Sequence, residues 1–163
     1  MLRRASIEDL DGLQRIEDVC FQDRRFRREL LEWILRNARA LALVEEAEGR
    51  IRAALLLLFE GRVGRVLSIA VEPKARRRGI ATRLMFAAED AARDRGCGIV
   101  RLEVGTANLA AIALYRRLGY GTEGLLPKYY SWGEDAFEMR KVLERPPDVP
   151  HVSVASAPIH SSR

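Results

Sequence analysis

Cysteine and histidine are nearly missing from this 163-residue chain: two of each, Cys20, Cys97, His151 and His160. Two thiols cannot build a disulfide framework or a four-ligand metal site, so no metal and a reducing compartment are expected. Both histidines fall in a Pro- and Ser-containing C-terminal stretch and are given no catalytic role. Long hydrophobic runs are missing too. The longest, Ala53 to Phe59, has seven residues, against the ~20 that a membrane helix needs. The chain starts Met-Leu-Arg-Arg and turns amphipathic at once, with no apolar leader of the secretory kind. Glycine (12) and proline (6) are too few for a low-complexity chain, and 48% apolar residues exclude a wholly disordered one. The expectation is a cytoplasmic protein with one domain, large enough to bury roughly 70% of its unfolded surface.

Lysine is the other scarcity. Of 28 basic residues 25 are Arg, against 23 acidic residues, for a net charge of +5. A basic excess suits nucleic acid, an anionic membrane, or an acidic or phosphorylated ligand. An arginine bias also follows from base composition and from surface ion pairs, so the positions of the arginines must decide.

Periodicity divides the chain into alternating elements. A short strand at Leu2 to Ala5 precedes Ser6-Ile-Glu-Asp9, a capping-box variant. Ile7, Leu10, Leu13, Ile16 and Val19 then mark one helix face. Phe21 to Arg28 is polar and basic. Helical spacing resumes from Glu29 to Ala38. Strands are expected at Ala40–Val44, Ile51–Phe59 and Val66–Val71, with a turn over Gly61–Gly64. Gly79 to Arg95 reads as a helix, Ile99–Val104 as a strand and Asn108 to Leu118 as a short helix. Leu125–Tyr130 and Ala136–Val142 read as closing strands. Residues 1–144 form the expected domain, and 145–163 an expected disordered tail.

The densest local signal is a buried strand, then Pro73, then Arg76-x-x-Gly79-x-Ala81 opening a helix. The first turn of a helix presents unpaired N–H groups and a positive dipole end, which attract phosphate. Gly79 lets a ligand approach the backbone, and Arg76, Arg77 and Arg78 add charge. The spacing is neither a Walker loop nor the six-position dinucleotide fingerprint. Alone, it is also compatible with a basic loop capping an ordinary helix.

Together with Asn108-x-x-Ala111-x-x-Leu114-Tyr115-x-x-x-Gly119-Tyr120 downstream, this segment resembles the two signatures of the GNAT acetyltransferases. Leu102-Glu103-Val104, Lys128-Tyr129-Tyr130 and Gly133-Glu134-Asp135-Ala136 with Met139 are similar to the RimI-type and archaeal and eukaryotic N-terminal amine acetyltransferases. The resemblance covers Leu2 to about Leu143. It implies an α/β (α+β) fold with a mixed sheet of about seven strands, splayed between the fourth and fifth and flanked by about four helices. It also implies acetyl-CoA as cosubstrate and protein or peptide N-termini as acceptors, with direct transfer in a ternary complex. Neither nucleic acid nor a membrane is an expected partner, and ribosomal or auxiliary-subunit association is left open.

Carried onto this sequence, the resemblance places the pantetheine arm along the backbone of Ile69, Ala70 and Val71. The pyrophosphate falls on the N–H groups of Arg77, Arg78, Gly79, Ile80, Ala81 and Thr82, beside Arg76. It makes Glu103 the proton acceptor and Tyr115 the proton donor to the departing thiolate, with Tyr115 also at the cofactor. A backbone N–H near Ile69 or Ala70 would hold the thioester oxygen, typically worth roughly 3–4 kcal/mol in kcat. Asn108 touches the pantetheine while capping its helix. Phe21, Tyr129 and Tyr130 contact the acceptor.

Each role has a structural alternative. Glu103 could pair with Arg101 or Arg116, Tyr115 could be core packing, and only one of two adjacent tyrosines on a strand faces a substrate. The chain departs from the family at Phe21–Arg28, which lacks the usual proline and Trp, and at Gly105, where Arg is common. The same-fold alternative is a lysine or small-amine acetyltransferase. A basic nucleic-acid module is the alternative of another class, and no helix-turn-helix, zinc ligands or aromatic-interleaved basic sheet supports it.

Overall fold

The structure, a computed structural model, describes residues 1–144. The expected tail at 145–163 lies outside the described residues. A strand at Leu2–Arg4 (β1) enters helix Leu10–Phe21 (α1) through a 3₁₀ turn, and a second such turn, Gln22–Arg24, precedes helix Arg28–Arg36 (α2). Strands Ala40–Ala47 (β2), Arg50–Glu60 (β3) and Val63–Val71 (β4) follow. Helix Ile80–Asp94 (α3) leads to strand Ile99–Gly105 (β5), and helix Leu109–Arg117 (α4) to strands Gly121–Leu126 (β6) and Ala136–Val142 (β7).

All seven strands join one sheet in the order β1-β2-β3-β4-β5-β7-β6. Only β4 and β5 are parallel neighbours, which requires a crossover connection that α3 supplies.

Strand periodicity sorts the core onto two faces. Ala40, Ala42 and Val44 face α1 and α2, whereas Leu41 and Leu43 face the α3 side. In α1, Leu10, Leu13 and Ile16 are buried as the spacing predicts, but Val19 is exposed. A helix advances about 100° per residue, so spacings of three drift and carry Val19 half a turn from Leu10. Glu17 takes the inward position instead.

Two details of β4 shape the site. Gly64, read from sequence as part of a turn, lies within the strand. A Cβ there would stand 3.1 Å from Ala92 Cβ on α3, so the bare backbone serves close packing. Further on, Leu56 pairs with Ser68 but Leu57 with Val66, which leaves Leu67 as a bulge. The bulge reverses the alternation: Val66 faces the α3 core, and beyond it Ile69 and Val71 do. Leu67 and Ala70 turn to the α1–α2 side.

At the same point β4 and β5 part. Their pairing ends at Val66↔Leu102. β4 stays on β3 as far as Val71, and β5 stays on β7 as far as Gly105. The sheet therefore opens as a V between two strands that are each anchored on the other side.

The expected closing strand Leu125–Tyr130 is corrected to Gly121–Leu126. Pro127 cannot donate to a ladder and Lys128 adopts φ +50, so Tyr129 and Tyr130 belong to the β6–β7 loop. Behind this end of the sheet, Glu89 of α3 is buried but fully paired. The Tyr120 hydroxyl donates to it at 2.8 Å, and the Lys141 ammonium at 3.0 and 3.2 Å. Among the described residues no helix is long and apolar enough to cross a membrane.

Candidate active site

Gly79 ends the basic loop as the N-cap of α3, in a left-handed conformation and without a side chain to accept from the helix start. The N–H groups of Ile80, Ala81 and Thr82 thus have no side-chain cap, and the first bond into the helix is Arg83 N–H to the Gly79 carbonyl. Arg77 is left-handed as well, at φ +66. Two such residues in three coil the loop into the kind of backbone that gathers N–H groups around an anion. A Cβ on Gly79 would meet only Arg83 Nη1, at 3.6 Å. The glycine is therefore required by its φ of +75 rather than by crowding. Arg76, Arg77 and Arg78 are all exposed, and Arg76 donates from Nε to the Val71 carbonyl at 2.8 Å. Such a loop start is where a diphosphate could be held, and the open edge of β4 at Ile69, Ala70 and Val71 leads from it into the V.

The other edge of the V carries Glu103. Leu102 and Val104 point into the α3 core, so Arg101 and Glu103 project from the opposite face of the sheet. Arg65 of β4, paired opposite Arg101, lies on that face too. It donates to Glu103 Oε1 from Nε at 3.0 Å and from Nη2 at 2.8 Å. Nη2 also donates to the Tyr129 hydroxyl at 2.9 Å, and that hydroxyl lies 3.4 Å from the same Oε1. Arg101 Nε approaches the second oxygen, Oε2, only to 3.7 Å. The Glu103 side chain is 8% exposed. Burial opposes the charge on Arg65, yet its bonds to Glu103 leave it more strongly basic than usual. Of the sequence alternatives for Glu103, pairing with Arg101 exists as a charge contact, and the closer partner is Arg65.

Tyr115 is reached from the opposite face. It is buried in the α3–α4 core, edge-on to Tyr120 at 6.0 Å. Burial, and then the neighbouring Tyr130 phenol, push its hydroxyl well above the ordinary tyrosine range. Tyr130 itself is pushed up to about 12, by burial first and then by Tyr129, Glu134 and Glu103. Tyr130 is thus within electrostatic reach of both Glu103 and Tyr115, one on each side of the opened sheet. Asn108 caps α4, its Oδ1 accepting from the Ala111 N–H at 3.2 Å.

Tyr129 and Tyr130 continue into an aromatic wall that sequence reading missed. Their rings meet edge-to-face at 5.0 Å, and Tyr130 stacks on Trp132 at 4.6 Å. The Arg24 guanidinium sits 4.3 Å over the Trp132 ring, joining the α1–α2 loop to the β6–β7 loop. Phe21, the residue expected to meet the acceptor, is half-buried and packs against the core on the α1–α2 side. Buried Glu17 fixes the same loop. Its Oε1 accepts from the Phe26 N–H at 2.9 Å, and its Oε2 lies 3.1 Å from the Ser68 hydroxyl beside the bulge.

A sheet opened between parallel strands, with an uncapped helix start below one edge and a carboxylate and tyrosines at the other, defines a GNAT-type acyltransferase. The chain belongs to the acetyltransferase (GNAT) family, whose family model matches residues 7–120. It is 35% identical over 149 residues to the catalytic subunit NAA10 of the N-terminal acetyltransferase A complex of Arabidopsis thaliana, covering 88% of this chain and 78% of that one. The crystal structure of Ard1 from Thermoplasma volcanium superimposes with a TM-score of 0.81 at 26% identity, over 89% of this chain and 98% of that one. The ribosomal-protein-S18-alanine N-acetyltransferase of Escherichia coli shares the fold, with a TM-score of 0.81 at 24% identity, over 93% of this chain and 99% of that one.

Proposed function

We propose that this acyltransferase moves an acetyl group from acetyl-CoA to the α-amine of protein or peptide N-termini, by direct transfer in a ternary complex. The observation that carries the reading is the aromatic loop Tyr129–Trp132 standing at the carboxylate edge of the V, opposite the phosphate-accepting start of α3. It suits a chain end entering from one face while a thioester lies along the other. Similarity to NAA10, the catalytic subunit of an N-terminal acetyltransferase complex, supports the same acceptor class.

Acetyl-CoA supplies an activated acyl carbon. The Arg77–Thr82 backbone holds its diphosphate, and the free edge of β4 at Ile69–Val71 its pantetheine arm. A backbone N–H at Ile69 or Ala70 faces the carbonyl oxygen as charge grows there. The attacking nitrogen must be neutral. An α-amine has a pKa near 8 and a lysine near 10.4, so at pH 7 the chain end is the readier nucleophile. Glu103 takes the proton that the nitrogen sheds, and the protonated Tyr115 phenol donates to the departing sulfur. Tyr129 and Tyr130 hold the first residues of the acceptor.

Release of CoA thiol with a panel of N-terminal peptides tests this reading against the lysine alternative. The comparison set is the same peptides blocked at the α-amine and bearing Lys. Free N-termini should react and blocked ones should not; equal rates on blocked peptides would reverse the reading.

A further inference from the structure

Arg65 of β4 was not among the residues expected at the site, and it holds two of those that were, Glu103 and Tyr129. Both of its Glu103 bonds end on one oxygen, Oε1, which also has the Tyr129 hydroxyl 3.4 Å away. A carboxylate oxygen offers two lone-pair sites, so Oε1 is fully engaged. Oε2 is different: Arg101 Nε stands 3.7 Å from it and makes no hydrogen bond to it. A proton arriving at Glu103 therefore has one open oxygen to go to.

The placement follows from the strand register. Arg65 stands opposite Arg101 in the parallel β4–β5 pair, and Glu103 is the next residue of β5 on the same face. The side chain reaches diagonally across the last two rungs before the strands part. The same Nη2 that holds Glu103 donates to Tyr129 at 2.9 Å, tying the β6–β7 loop to the apex of the V. The phosphate loop begins beyond the far end of β4, after Val71, so this clamp and the cosubstrate cradle are separate pieces of the strand.

Resting on the assignment of Glu103 as proton acceptor, we propose that Arg65 is a positioning residue for the transfer. It fixes Glu103 so that Oε2 alone faces the acceptor nitrogen, and it orients Tyr129 toward the same point. Arg65 does not itself touch either substrate.

The test is a double-mutant cycle in the full chain, with Arg65→Met, Glu103→Gln and their combination. It is read as kcat and KM on a reactive N-terminal peptide, together with acetyl-CoA affinity by calorimetry. Arg65→Met should lower kcat by about tenfold, less than the roughly 10²–10⁴-fold that a proton-transfer group itself contributes, with acetyl-CoA affinity unchanged. Arg65→Lys, which keeps the charge but not the planar fork, should recover part of the loss. On the Glu103→Gln background, Arg65→Met should cost little more, because the two act as a unit.

An unchanged kcat in Arg65→Met, or its full loss repeated on the Glu103→Gln background, overturns the proposal. If Arg65→Met fails to bind acetyl-CoA, Arg65→Gln is judged by the same criteria. Glu103→Gln at wild-type kcat would remove the proton-acceptor reading as well, whereas a damaged Glu103→Gln beside an intact Arg65→Met removes only the role of Arg65.

Discussion

The Glu134 carboxylate occupies the space that a side chain on Gly105 would need. A Cβ built on Gly105 falls 2.3 Å from Glu134 Oε2, and the carboxylate is held there by the Ala107 N–H at 3.1 Å and the Trp132 indole N–H at 3.0 Å. These bonds also hold the Glu134 carboxyl below the usual carboxylate range, the Trp132 bond most of all. The glycine at the end of β5 is thus matched to the carboxylate that anchors the β6–β7 loop.

Gly105→Ala should evict that carboxylate and free Trp132, on whose ring Arg24 and Tyr130 rest. Loss of about 1 kcal/mol of hydrogen bonding corresponds to roughly a fivefold rise in peptide KM. Acetyl-CoA affinity should stay constant, and Glu134→Ala should reproduce the effect. Steady-state kinetics with calorimetry of acetyl-CoA checks both; a KM unchanged in both variants would show that the loop needs no such anchor.

On the cosubstrate side, Gly79 separates conformation from charge. Its φ of +75 disfavours any Cβ by about 1–2 kcal/mol, but the nearest atom to that Cβ is a movable Arg83 Nη1 at 3.6 Å. Gly79→Ala should fold and bind acetyl-CoA somewhat more weakly. Gly79→Glu places an anion at the helix start and should weaken binding by well over about tenfold, since several charge-assisted bonds are opposed together. Equal affinities for the two variants in calorimetry would place the diphosphate elsewhere.

Glu17 yields a prediction of the opposite sign from most buried-group substitutions. Burial raises its carboxyl above the ordinary range, outweighing the Phe26 and Ser68 bonds that lower it. A carboxyl raised in the folded state binds a proton there more readily than in the unfolded chain. Its ionisation therefore destabilises the fold as pH rises through the raised value, and this penalty disappears below the unfolded value of about 4.3. Glu17→Gln keeps an acceptor for the Phe26 N–H and a partner for Ser68 while removing the charge. In urea titrations it should be more stable than wild type at pH 8, with the difference shrinking toward pH 4. A variant less stable at pH 8 would mean that the charge itself holds the α1–α2 loop.

Much of this was legible in the residues because period and motif report local chemistry. Gly79 after a buried strand marks the uncapped helix start, and Leu102-Glu103-Val104 places Glu103 on the face away from the core. What stayed hidden depends on phase and on contacts distant in sequence. Beginning the fourth strand at Val66 left Arg65 out of the ladder, because Gly61–Gly64 reads as a turn although Gly64 is bare for the sake of Ala92. The bulge at Leu67 has no sequence mark. Trp132 and Arg24 are separated by more than a hundred residues, and only the folded chain brings them together. Tyr129 and Tyr130 are expected on a strand that Pro127 and Lys128 end before it reaches them.

The pH dependence of the transfer follows from Tyr115. Its phenol is raised by burial and then by Tyr130, so it stays protonated over the whole working range and contributes no alkaline limb of its own. The substrate nitrogen, by contrast, titrates near 8. The rate at low peptide concentration should therefore rise about tenfold per pH unit below that value and level off above it. Tyr115→Phe removes the proposed donor to the leaving sulfur and should lower kcat by about a hundredfold or more, with the shape of the profile unchanged. Acetyl-CoA affinity should change little, because the ring still fills the α3–α4 core. Two peptides whose α-amines differ in pKa should shift the rising limb by that difference in wild type and variant alike. If the wild-type rate instead falls between pH 8 and 10, and that fall vanishes in Tyr115→Phe, then the phenol ionises in the working range. Its assignment as the permanently protonated donor would then be wrong.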